Sequence, residues 1–160
     1  MKLFLIRGVE DAGKTTAAAR ILKSLVREHG ATVHRQILDW YCVPVIADND
    51  RTPDFQTIVS INGLSIGIIS QGDNASNLND YLDDMLDGEF DIDILILCAR
   101  SRNTKGSSYE LICQRFGDLI KDHNTYWLYK DEDEKTKREI VYNIVNRILQ
   151  ESNNNQDIQQ

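Results

Sequence analysis

Apolar and polar positions alternate between two periods along this chain. Residues 2–8, "KLFLIRG", form a nearly continuous apolar run, the pattern of a strand buried on both faces. From Lys14 onward the period changes. Ala18, Ile21, Leu22, Leu25 and Val26 recur at helical spacing and Gly30 fits the stop, which predicts a helix over 14–29. "ATVHRQILDWY" reads as a second strand ending near Asp39, and residues 48–54, polar and carrying Pro53, read as a loop. "TIVSINGLSIGIIS" reads as a hairpin. Its Asn62-Gly63 suits a two-residue type I′ turn, which pairs Ile61 with Leu64 and Val59 with Ile66. Val59, Ile61, Leu64, Ile66 and Ile68 then share one face.

A polar "QGDNAS" leads into a helix over about 77–87 with Leu78, Tyr81, Leu82, Met85 and Leu86 on its inner side, stopped by Gly88. "DIDILILCA" is a central strand by its unbroken apolar run. After the polar "RSRNTKG", Ser107 and Glu110 make a capping box for a helix carrying Leu111, Ile112, Phe116, Leu119 and Ile120. "TYWLY" is a further strand. "DEDEKTKREIVYNIVNRILQ" is a last helix with acids at its positive end and an inner stripe of Ile140, Val141, Ile144, Val145, Ile148 and Leu149. Residues 151–160, "ESNNNQDIQQ", have no core-forming content and are expected to be a disordered polar tail. The alternation predicts one α/β domain over 1–150: a mostly parallel sheet with a hairpin at about 55–70 and helices on both faces.

Composition narrows the setting. The 160 residues suit one core, and 41% apolar content is ordinary for a globular chain. No apolar run approaches the roughly 20 residues that span a bilayer, so no membrane partner is expected. The start, "MKLFLIR", is too short and too soon charged for a secretory leader. Cys42, Cys98 and Cys113 form no C-x-x-C pair, and read as reduced packing residues of a cytoplasmic protein. A net charge of −7 speaks against general nucleic-acid binding. His29, His34 and His123 are scattered, and the acids of residues 80–93 read as a solvated face.

The chemistry begins at residues 8–15, "GVEDAGKT", between the first strand and the first helix. Gly8 and Gly13 allow a tight turn that brings successive N–H groups onto one anion, so Val9, Glu10, Asp11, Ala12 and Thr16 join them as expected contacts. The helix start aims its positive end at the same point. Lys14 reaches outer phosphates, and Thr15 offers a hydroxyl to Mg²⁺. This G-x-x-x-x-G-K-T, with a strand before it and a helix after it, resembles the P-loop NTPases. The likeness is strong over residues 1–30 and consistent in element order through 149. It implies bound nucleotide with Mg²⁺ and does not by itself choose between kinase, ATPase and switch GTPase. The layout is nearest to small ATP-dependent kinases and ATPases.

The chain departs from that family in having no plain apolar strand ending in aspartate. Two positions stay open for the second acid. "IGIISQGD" looks like the second switch region of Ras-like proteins. That likeness implies Gly72 N–H at the γ-phosphate and Ser70 or Asp73 on a Mg²⁺ water, with the strand before them expected beside the first strand. Asp39 ends the second strand, where nucleoside and nucleotide kinases often carry an acid near the acceptor, and so is the alternative, as a base. Trp40 and Tyr41 beside it read as packing. The loop "CARSRNTKG" places Arg100, Arg102 and Lys105 at the end of the central strand, on the phosphate side. In small P-loop kinases comparable arginines bind substrate phosphate or neutralise transferring charge. Lys14, Asp39, Arg100 and Arg102 are therefore the expected catalytic set. The guanine-reading N-K-x-D is absent, so ATP is expected over GTP. No D-G-x-P-R motif or lid domain supports a nucleotide-monophosphate kinase. Two readings follow: a phosphotransferase or ATPase with an unknown small-molecule acceptor, or a regulatory switch acting on a protein partner.

Overall fold

In the computed structural model, which describes residues 1–38 and 53–159, the strands are β1 (Lys2–Gly8), β2 (Thr32–Leu38), β3 (Phe55–Ile61), β4 (Leu64–Ile69), β5 (Ile94–Arg100) and β6 (Thr125–Trp127). They form one sheet in the order β2-β3-β4-β5-β1-β6. β4, β5, β1 and β6 run parallel, and β3 is antiparallel to both of its neighbours. The helices are α1 (Lys14–Arg27), α2 (Ala75–Leu86), α3 (Ser108–Phe116) and α4 (Glu134–Gln159). The protein is thus α/β, with a mostly parallel sheet. No helix among the described residues is long and apolar enough to cross a membrane.

Each face of the sheet is covered by its own pair of helices. Phe4, Ile6, Ile96 and Cys98 pack with Ile21, Leu22 and Leu25 of α1 and Ile144, Val145 and Ile148 of α4. Leu3, Leu5, Leu95 and Leu97, alternate residues of the same strands, pack with Leu78, Leu82 and Met85 of α2 and Ile112 and Phe116 of α3. The period of two puts consecutive residues of β1 and β5 on opposite faces, which is why both strands are apolar throughout.

The hairpin has the expected register. Ile61 pairs with Leu64 and Val59 with Ile66, while Asn62 and Gly63 take φ of 50° and 80° in the turn. Val59, Ile61, Leu64, Ile66 and Ile68 all lie in the α1–α4 core.

Three expectations are corrected. β5, not β4, lies against β1. The crossover from β4 through α2 sets β5 directly beside β4, and the other edge of β5 then receives β1. The third helix ends at Phe116, and residues 117–119 tighten into a 3-10 turn. Residues 151–159 are not a disordered tail, because α4 continues to Gln159. The Ser152 hydroxyl is buried, donates to Leu149 O and accepts from Asn62 Nδ2, and Asn155 donates to Asn62 O. Glu151 pairs with Lys2. Polar contacts with the hairpin turn and β1 replace the apolar stripe, and each added turn extends a helix already nucleated.

Candidate functional site

The parallel strands all leave the sheet at one edge, so the loops after β1, β4, β5 and β6 meet there. β3, running the other way, enters the sheet at that same edge and brings Asp54 with it.

The loop between β1 and α1 turns through two left-handed residues, Asp11 (φ 58°) and Gly13 (φ 93°). Ala12 is buried and donates its N–H to Val9 O at 3.2 Å, whereas Val9, Glu10 and Asp11 are exposed. Gly13 is the N-cap of α1 and supplies no side-chain cap, so the first-turn N–H groups, Thr16 included, lack the usual capping oxygen. Lys14 is only 5% exposed. Its Nζ donates to Gly8 O at 3.0 Å and Val9 O at 2.7 Å, and stands 3.4 Å from Asp73 Oδ1. The Thr15 hydroxyl donates to Asp54 Oδ1 at 2.7 Å. Cys98 Sγ lies 3.5 Å from Lys14 O and anchors the helix start to β5. Burial pushes that thiol up to about 12, with Lys14 opposing, so it stays protonated and serves packing.

The β4–α2 loop meets this loop at Asp73, which also forms an ion pair with Arg100, Oδ1 lying 3.1 Å from Nε. Arg100 in turn reaches Glu10 Oε2 at 3.5 Å. Lys14, Asp73, Arg100 and Glu10 thus form one chain of alternating charge. Gly72 is buried against β5, where an added Cβ would fall 2.2 Å from Cys98 O, and its carbonyl accepts from the Ser108 hydroxyl. Ser70 takes a different place from the metal-side role expected of it. Its buried hydroxyl accepts from Phe55 N–H at 2.8 Å and donates to Phe55 O at 3.2 Å. It fixes the start of β3, one residue after Asp54. Asp39 lies outside the described residues.

Beside the charge chain opens a cavity of about 530 Å³, bordered by Val9, Glu10, Asp73, Arg100, Arg102 and Lys105, with Lys130 arriving from the β6–α4 loop. Arg102 is exposed at this rim. The wall is held from behind by Arg7, 8% exposed, whose guanidinium donates to Arg100 O at 3.3 Å and Ser101 O at 2.7 Å. It is stacked 3.4 Å from the Tyr109 ring centre and 4.3 Å from that of Trp127. Desolvation lowers the pKa of Arg7, and the two rings and two carbonyls offset the lost water.

Sequence reasoning missed Asp54, Arg7 and Lys130. Asp54 sits in a stretch that reads as a plain polar loop, and only the antiparallel entry of β3 brings it to Thr15. Arg7 is hidden inside an apolar strand; a lone arginine in such a run was the available signal.

Comparison with family models gave no match, and neither a curated protein nor a solved structure matched the chain.

Proposed function

We propose that this chain is a P-loop NTPase that binds Mg²⁺·ATP at the 8–15 loop and transfers the terminal phosphoryl group to an acceptor in the adjoining cavity. One observation carries the reading. A left-handed glycine turn leads into an uncapped helix start, where the Lys14 ammonium and a hydroxyl–carboxylate pair, Thr15 and Asp54, stand at the same sheet edge. Among the described residues no group of three or more His, Cys, Asp or Glu side chains forms a metal cage. Mg²⁺ does not need one, because it is ordinarily held by one or two protein oxygens together with phosphate oxygens and water. Thr15 and Asp54 fit that donor set, so Asp54 takes the role that the sequence alone offered to Ser70 or Asp73. When bound, the metal supplies charge neutralisation at the phosphates. Lys14 holds the phosphate chain, and Arg100 and Arg102 neutralise and orient charge on the cavity side. The cavity bears four cations, Arg100, Arg102, Lys105 and Lys130, against Glu10 and Asp73, so an anionic acceptor suits it.

A second reading, a regulatory switch, draws on the Lys14–Asp73–Arg100 chain. A phosphate on Lys14 displaces Asp73, and the β4–α2 loop then answers to nucleotide.

Titration with ATP and GTP in Mg²⁺ tests the nucleotide, and ATP is expected to bind more tightly. Turnover that rises on adding one anionic metabolite supports the transferase; turnover that answers only to a protein supports the switch. If neither nucleotide binds, both readings fail.

The acids separate on metal dependence. Asp54→Asn is expected to weaken ATP binding about tenfold with Mg²⁺ present and to leave it unchanged in EDTA. Asp73→Asn is expected to bind ATP at least as well as the parent in both conditions, since it removes an anion that competes for Lys14. A metal-dependent loss in Asp73→Asn, with Asp54→Asn normal, reverses the two roles.

A further inference from the structure

The inner stripe of α4 runs Val141, Ile144, Val145 and Ile148, all buried against α1 and the sheet. Carried one turn toward the N-terminus, the same face reaches position 137, and there the chain holds a lysine. α1 and α4 both begin at the edge where β1 and β6 end, so this lysine arrives where α1 starts. A Cβ placed on Gly13 would lie 3.8 Å from Lys137 Nζ and 3.9 Å from its Cδ. The side chain therefore lies over the left-handed residue that caps α1.

Its charge is uncommitted. Among the described residues Lys137 makes neither a hydrogen bond nor an ion pair through its ammonium. Glu134, one turn earlier on the same helix, feels the Lys137 charge, but its carboxylate is bonded to Arg20 of α1 at 2.8 Å. That exposed pair joins the first turn of α4 to α1, next to the contact between Lys137 and Gly13. Asp133 is likewise occupied, accepting from Thr136 N–H at 2.7 Å. The contrast with Lys14 matters: the Lys14 ammonium is satisfied by two carbonyls and Asp73. A half-buried ammonium with no partner, beside uncapped helical N–H groups, is a donor set awaiting an anion.

We propose that Lys137 is a second phosphate-binding residue, which closes over the phosphate chain of the bound nucleotide from the side of α4. This rests on the phosphate-loop reading above and extends it, because the site is then built by both ends of the domain.

The test uses the full chain and two probes, Mg²⁺·ATP and inorganic tripolyphosphate, with the parent, Lys137→Met, Lys137→Arg and Lys14→Met. Methionine keeps the aliphatic stem and removes the charge. Lys137→Met is expected to lose about tenfold in affinity for both probes, as for one charge-assisted hydrogen bond. Lys137→Arg, which restores the charge, is expected to stay within about threefold of the parent. Melting temperatures should change little, since the ammonium contributes no contact in the free protein. If Lys137→Met binds like the parent while Lys14→Met is weakened, the role of Lys137 is overturned and the loop reading stands. If both Lys137 variants lose affinity equally and melt earlier, the side chain is packing and the proposal fails. A parent that binds neither probe overturns the loop reading and this inference with it.

Discussion

Lys14→Met is expected to reduce ATP affinity by about 2–3 kcal/mol, roughly 30- to 150-fold. The proposed contact is a desolvated ammonium on phosphate oxygens, and methionine fills the same channel without the charge. The variant should remain folded. Its cost to the free protein is the loss of the donors to Gly8 O and Val9 O, about 1–3 kcal/mol if both carbonyls stay dry. Val9 is exposed, so water replaces the donor to its carbonyl, and the cost falls mainly on Gly8 O, whose residue is buried. Isothermal titration of parent and variant, with circular dichroism to establish the fold, decides the matter. Unchanged ATP affinity in a folded Lys14→Met removes the phosphate-loop assignment.

The largest stability effect is expected at Gly72. A Cβ there would meet Cys98 O at 2.2 Å, Cys98 C at 2.4 Å and Ala99 N at 2.8 Å, all main-chain atoms of the buried β5. Neither side can yield by changing a rotamer, so Gly72→Ala must push the β4–α2 loop off the sheet. The expected loss is about 3 kcal/mol or more, read as a fall in the urea midpoint. The Ser108 hydroxyl, which donates to Gly72 O, loses its partner in the same movement. Gly117→Ala is the matched control. Gly117 has φ −49° and ψ −41°, and a Cβ there meets nothing within 4 Å. It should be neutral or stabilising by about 0.4–1 kcal/mol, because alanine narrows the unfolded ensemble. Equal midpoints for the two variants would show that the loop tolerates displacement and that the contact has been misjudged.

The parts of the fold that were legible in the sequence are those set by local rules. Asn62-Gly63 dictated a two-residue turn, and the turn fixed every pairing of the hairpin. The stripe from Val141 to Ile148 and the run from Ile94 to Ala99 announced their elements by period alone. What depended on strand order was hidden. Placing β4 beside β1 was wrong because local patterning does not say which edge of β5 a strand takes. The same ignorance concealed Asp54, whose neighbour Thr15 is 39 positions away in sequence. The last nine described residues failed for another reason. Their helix is held by Ser152, Asn155 and Glu151 reaching the hairpin turn and β1, and such contacts leave no periodic apolar trace.

The stack of Arg7 between Tyr109 and Trp127 has an optical consequence. Indole emission is sensitive to a nearby cation, and this cation is bonded to the carbonyls of Arg100 and Ser101. Trp127 is the one tryptophan among the described residues, the other being Trp40. In a Trp40→Phe background the protein therefore carries its own fluorophore, wired through one guanidinium to the wall of the cavity. A ligand that shifts the Arg100–Ser101 backbone is expected to move that guanidinium against the indole, so in this background occupancy of the cavity can be followed without an added dye.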